Sequence, residues 1–260
     1  MIIDCFTFFN EIDLLEGRLE YLYNVVDRFV IVESNRTHSC KLKPLNFKEN
    51  ESRYSKYMDK ITYLVWENNQ DSTPDAWIQE NAQRNYILEG LKDVNAGHVM
   101  VSDIDEIPNR NMINVAISST ASDWFTFRQQ MFFYNLKQRT LKPWSGSIIT
   151  TVPVLKEKTP QWFRNNRTNG VHIEDGGWHL SYWGSPEAIQ YKIDSFAHQE
   201  LNNDQWKNVD SIKQRIFKGQ DPYERDRERI PEHRVIMQPM DRKDLDSDLV
   251  KYFGKYEVIT

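Results

Sequence analysis

Apolar positions along the first hundred residues fall into two alternating patterns. Residues 2–9 and 29–32 are short, nearly continuous apolar runs, each ended by polar residues (Asn10-Glu11 and Glu33-Ser34-Asn35), and they read as buried strands. Between them Leu14, Leu15, Leu19, Leu22 and Val26 recur at three-to-four spacing, with Glu16, Arg18 and Glu20 opposite, which predicts a helix packing one face on the sheet. Residues 61–66 give a third strand, Asp75 is placed to cap a helix over 76–92, and residues 98–102 give a fourth strand running into Asp103-Ile104-Asp105-Glu106. This alternation predicts an α/β fold with a Rossmann-like, mostly parallel central sheet flanked by helices. Such sheets bind ligands outside the carboxyl ends of their strands, where Asn10-Glu11, Glu33 to Asn35, Glu67-Asn68-Asn69 and the acidic turn all stand.

After Pro108 the pattern changes to a helix near 111–118, β-rich segments at 124–134 and 147–154, a strand at 180–183, and a helix starting at Ser185-Pro186-Glu187. We therefore expect one domain over 1–260: a half whose strand ends bind a ligand (1–108), a second half (109–200) and a peripheral, partly mobile C-terminal segment (201–260). Within that segment 221–229 is the most charged stretch.

Composition narrows the function classes. The 33 basic and 38 acidic residues are scattered, so no basic tract invites nucleic acid or an anionic membrane. Two cysteines, Cys5 and Cys40, make no disulfide framework, and no signal peptide or long apolar span is read. The expected location is cytoplasmic. Glycine-rich dinucleotide, phosphate-loop, serine-hydrolase-elbow and zinc-helix motifs are missing.

The candidate chemistry centres on the acidic turn. Residues two apart on a strand point to one side, so Asp103 and Asp105 can present two carboxylates to one point. Hard oxygen ligands suit Mn²⁺ or Mg²⁺, and such an ion stabilises a departing diphosphate. Acidic triplets are also common on solvated loops; the preceding apolar strand and the following Ile107-Pro108 favour a site here. His179, in Gly177-Trp178-His179, is placed to complete the metal shell, with a structural histidine as the plainer alternative. Asp175 or Glu174, just before these glycines, is a candidate general base, against a turn-forming role. Arg84 on the helix over 76–92 is a candidate for phosphate, with a solvated helix face as the alternative.

Phe8-Phe9-Asn10-Glu11, then Val30 to Ser34 with Thr37-His38 and Lys43-Pro44, Gln83-Arg84-Asn85, Asp103 to Pro108, Gly177 to Tyr182, and Lys192 with Ser195 to Glu200 occur in an order that resembles glycosyltransferase family 17. The resemblance spans about residues 1–200. It implies a GT-A type fold, a UDP-sugar donor (N-acetylglucosamine favoured), a glycan acceptor and inversion at the anomeric carbon. It also implies that Asp103 and Asp105 contact metal and diphosphate with His179 in the same site, that Glu33, Asn35 and Lys43 line the nucleotide side, and that Arg84 lies near the diphosphate or ribose. Two rivals are a metal-dependent phosphoesterase or nucleotide-sugar hydrolase, and a non-catalytic carbohydrate-binding protein using Trp124, Trp162, Trp178 and Trp183.

Overall fold

A computed structural model of the chain describes residues 1–225, 228 and 234–258. Strands β1 (Ile2–Phe8), β2 (Arg28–Ser34), β3 (Ile61–Trp66) and β4 (His98–Asp103) pair in parallel in the order β3-β2-β1-β4. These are the four strands that the apolar runs predict. The sheet continues through antiparallel strands β8 (Trp144–Thr151), β6 (Trp124–Phe133), β7 (Gln138–Thr140) and β11 (Met237–Pro239). Short strands β5 (Glu106–Pro108), β9 (Val171–Ile173) and β10 (Gly177–Ser181) attach beside β6.

Alternation along each central strand separates two cores. Phe6, Phe8, Phe29, Ile31 and Met100 face the helix Ile12–Leu22, where they meet Leu14, Leu15, Leu19 and Leu22. Ile3, Cys5, Val30, Val32, Val99 and Val101 face the opposite layer, made by Ile87 and Leu91 and by the helices Val152–Lys158 and Pro160–Asn166. Both cysteines are buried and free. Among the described residues no helix is long and apolar enough to cross a membrane.

Several local expectations are corrected. The third helix, capped by Asp75 accepting from the Trp77 amide, runs only over Ala76–Asn85 and tightens to a 3₁₀ segment at Tyr86–Leu91. Gly90 lies in that segment, and a Cβ there would meet Val30 at 2.5 Å, so the tighter turn sits close on the sheet. Residues 152–154 do not extend β8; Pro153 opens a helix instead.

Parts of 201–260 are integral to the fold, not peripheral. The helix Val209–Lys218 packs Ile212 and Ile216 with Ile189 and Ile193 of the helix Pro186–Ser195. The helix Ser247–Phe253 sinks Leu249 and Phe253, four residues apart, into the main core. Gly17 permits this contact, because a Cβ there would lie 2.7 Å from the Phe253 ring. Two apolar residues at helical spacing anchor a segment whose average composition is polar. Of the charged stretch 221–229, residues 226, 227 and 229 lie outside the described residues, while Asp221 is buried and accepts from Arg225.

Arg18 departs most from its expected place. It is fully buried beneath the acidic turn, not on the solvated helix face. Its Nε and one terminal nitrogen donate to the buried Asp4 carboxylate at 2.8 and 2.7 Å, and the same terminal nitrogen reaches Ser102 Oγ at 2.6 Å. The other terminal nitrogen donates to the carbonyls of Asp103, Ile104 and Glu106 at 3.2, 3.2 and 2.7 Å. Turn carbonyls that no strand could satisfy thus receive charge-assisted bonds. Arg18→Met, which strands the Asp4 carboxylate in the core, is expected to lower unfolding free energy by about 3–5 kcal/mol, read from urea midpoints.

Candidate functional site

A cavity of about 510 Å³ opens at the carboxyl ends of β1 and β4. Thr7, Phe8, Phe9 and Glu11 follow β1, and Asp103, Ile104 and Asp105 follow β4. The helix Ala76–Asn85 supplies Trp77, Glu80, Gln83 and Arg84, and the helix Pro160–Asn166 with its end supplies Gln161, Arg164 and Arg167. His179 and Ser181 come from β10, and Lys192 from the helix Pro186–Ser195. The end of β2 contributes through Arg36 to His38, whereas Glu67 to Asn69 after β3 do not line the cavity.

Asp103 sits between two guanidinium groups. Arg84 reaches its Oδ1 at 2.9 Å and Arg164 its Oδ2 at 2.6 Å. Arg84 also pairs with Glu80 at 2.8 Å, and Arg164 with the fully buried Glu106 at 2.6 Å. Glu106 in turn accepts from Trp144 Nε1 at 2.7 Å and from the Asp103 amide at 3.2 Å. Asp105 receives Lys192 Nζ at 2.9 Å, which also lies 3.2 Å from Glu11, and His179 Nε2 stands 3.5 Å from its other oxygen.

Burial alone would raise both aspartates. Arg164 and Arg84 nevertheless hold the Asp103 carboxyl far below the usual carboxylate range, and Lys192 with His179 does the same for Asp105. Burial likewise opposes the charge of Lys192, but Asp105 and Glu11 push its pKa well above the ordinary lysine value.

Asp103, Asp105, His179, Arg84 and Lys43 are therefore brought to one cavity, as expected. Glu33 and Asn35 are not. The Glu33 carboxylate is fully buried and accepts from Lys43 Nζ at 2.6 Å, from the amides of Asn46 and Phe47 at 2.7 and 3.0 Å, and from the Tyr63 hydroxyl at 2.8 Å. It organises the chain after β2 and leaves no oxygen for a nucleotide. Asn35 accepts from the Asn68 amide at 2.8 Å and lies outside the lining. Glu174 and Asp175 are exposed in the turn before β10 and do not line the cavity; the Asp175 carbonyl accepts from Asn109 Nδ2 at 2.9 Å. The glycines that follow serve backbone packing, since a Cβ on Gly177 would lie 2.1 Å from the Ile107 carbonyl and one on Gly176 2.6 Å from the Arg128 nitrogen.

The expected metal fares differently from the residues expected to hold it. Asp103 and Asp105 already meet three cationic side chains within 2.9 Å. Among the described residues, no group of three or more His, Cys, Asp or Glu side chains converges as a metal site. An Mn²⁺ or Mg²⁺ ion held by Asp103 and Asp105 would have to displace at least one of these protein cations.

Arg164, Arg167 and Glu80 were assigned no role from sequence; Glu11 was read as one of the strand-end residues at the ligand side, and Lys192 only as part of the family pattern. The available signal for the two arginines was Thr159-Pro160, a cap and first-turn proline opening a helix that carries Arg164 and ends at Arg167. The tryptophans offered as sugar platforms are occupied elsewhere. Trp178 packs on Tyr21 and Phe253, Trp124 and Trp162 meet edge to face, and Trp183 donates to the Tyr256 carbonyl.

The sequence profile of glycosyltransferase family 17 matches residues 1–248. The chain belongs to glycosyltransferase family 17. It is 26% identical over 227 residues to the beta-1,4-mannosyl-glycoprotein 4-beta-N-acetylglucosaminyltransferase of Rattus norvegicus, and 25% identical to that of Homo sapiens; each match covers 74% of this chain and 42% of the relative. The chain thus spans less than half the length of those curated relatives. Similar solved structures include the inositol-1-phosphate CTP transferase from T. maritima (13% identity, 82% of this chain and 95% of that one, TM-score 0.39). Another is the glucosyl-3-phosphoglycerate synthase from Mycobacterium tuberculosis in complex with Mn²⁺ and UDP (12% identity, 68% and 70%, TM-score 0.39).

The site has a definite pH signature. The folded pKa values of Asp103 and Asp105 lie below their ordinary value near 4, so their stabilisation is fully present above that value and is lost as pH falls through the folded pKa. In urea unfolding, the stability difference between wild type and Asp103→Asn is expected to stay constant from about pH 5 to about pH 8 and to shrink below about pH 4.

Proposed function

We propose that the chain transfers a sugar, with N-acetylglucosamine favoured, from a UDP-sugar to a hydroxyl of a glycan acceptor in a single inverting displacement. The observation that carries this reading is the cavity at the ends of β1 and β4, where Asp103 and Asp105 hold Arg84, Arg164 and Lys192 in fixed positions. When the bond from anomeric carbon to phosphate oxygen breaks, negative charge grows on the departing diphosphate. Cations whose orientation is set beforehand by paired carboxylates stabilise that charge without reorganising during the reaction. On this view Asp103 and Asp105 are positioning residues. They fix the cations, and the cations meet the phosphates.

Removing the acceptor proton is not a task for Asp175 or Glu174, which stand outside the cavity. Of the four carboxylates that line it, Glu80, Asp103 and Asp105 have pKa values held low by neighbouring cations, which makes them weak bases; the acceptor proton passes to Glu11, the fourth, which lies 3.2 Å from Lys192. Inversion and the donor base follow from the family resemblance; the charge arrangement supports a diphosphate leaving group.

A panel of nucleotide sugars incubated with and without glycan acceptors, read by UDP release, tests this. Slow, sugar-specific release that rises with acceptor is expected, and brisk release from many nucleotide esters would instead mark a phosphoesterase. Asp105→Ala, which frees Lys192 and His179 from their carboxylate, is expected to lower turnover by about 100-fold or more. Unchanged turnover would remove Asp105 from the machinery.

A further inference from the structure

Among the described residues, six Lys and Arg side chains line the cavity against four carboxylates. Five of the six have a carboxylate partner: Arg36 with Asp71, Lys43 with Glu33, Arg84 with Glu80 and Asp103, Arg164 with Asp103 and Glu106, and Lys192 with Glu11 and Asp105. Arg167 is the exception among the described residues. Its guanidinium lies over the Trp144 ring at 4.7 Å and gives one bond, to the Arg164 carbonyl at 2.9 Å. Its Nε is buried with no partner.

An uncompensated cation in such a place is costly, because a charge withdrawn from water needs an opposite charge or hydrogen bonds to replace the lost solvation. Burial, and then the adjacent Arg164, pull the Arg167 pKa below the ordinary arginine value. Trp144 holds the group in place, since its indole is fixed by the bond to Glu106 and its ring face attracts a cation. The arrangement is therefore a held, unpaired guanidinium that faces a cavity beside a second guanidinium. A planar fork of donors matches a phosphate more closely than a carboxylate-poor surface patch would require, and two adjacent positive charges suit an anion carrying more than one negative charge.

Building on the donor assignment above, we propose that Arg167, stacked on Trp144 and backed by Arg164, is a diphosphate-binding subsite of the cavity. It supplies positive charge beside aspartates that Arg84, Arg164 and Lys192 already neutralise.

Isothermal titration of the full chain in EDTA with inorganic diphosphate, UDP and uridine tests this. In wild type, diphosphate and UDP are expected to bind, and Arg167→Gln to weaken both by about tenfold or more while leaving uridine binding unchanged. Arg167→Lys, which keeps the charge but loses the fork, is expected to fall between the two. Equal affinities for UDP and diphosphate in wild type and Arg167→Gln would overturn the proposal and leave the transferase reading standing, as would failure of wild type to bind diphosphate. Arg167-dependent binding of diphosphate without binding of any nucleoside diphosphate would support the subsite and count against the UDP-sugar reading. Should the Gln variant fail to fold, the Lys variant decides: a several-fold loss of UDP affinity supports the subsite, and wild-type affinity overturns it.

Discussion

Beneath the acidic turn, Arg18 ties together β1, β4 and β5 from a helix that would otherwise only cover the sheet. Its pair with Asp4 is fully buried, and its remaining donors go to Ser102 and to three turn carbonyls. Parallel strands end where their ladder ends, so the turn after β4 has carbonyls directed into the protein without a strand to receive them. One guanidinium meets that need. The cavity floor consequently has a fixed shape before any ligand arrives, and the side chains of Asp103 and Asp105 leave it in opposite company: arginines for one, lysine and histidine for the other.

That rigidity changes what the two aspartates can do. An acidic pair at a strand end invites a metal, yet here each carboxylate is already matched and held strongly ionised by its neighbours. Charge complementarity at the site is built in layers: buried acids orient cations, and the cations face the cavity. In the proposed transfer from a diphosphate donor, the leaving group's charge is met by cations already in position. Among the described residues Arg167 is the lining cation without a carboxylate partner, and in our proposal it is the one that meets the diphosphate.

The parallel half of the fold was legible because its signal is periodic. Apolar runs of strand length alternating with a helical stripe identify β1 to β4 without reference to distant contacts, and Ser185 and Asp75 cap the helices where their side-chain chemistry indicates. What escaped depended on partners far along the chain. Arg18 reads as a solvated helix position until Asp4 and the turn fold over it. Glu33 reads as a ligand until Lys43, Tyr63 and two amides claim both oxygens. Leu249 and Phe253 are too few to lift a polar segment above its average, but at four-residue spacing they suffice to dock it against Gly17. Among the site residues, the Asp-x-Asp spacing and the third helix located Asp103, Asp105 and Arg84. Arg164 and Arg167 were hidden because the helix Pro160–Asn166 that carries the first and is capped by the second turns off directly from another helix at Thr159, φ +79°, and nothing in the local pattern announces the cavity it faces.

The most direct measurement is a crystal structure of the chain grown with UDP. The account places the diphosphate above the 103–106 turn, within hydrogen-bonding distance of the Arg164 and Arg167 guanidinium groups, with the Arg18 network unchanged below. A diphosphate bound away from both arginines, or a nucleotide seated outside the cavity at the ends of β1 and β4, would contradict it.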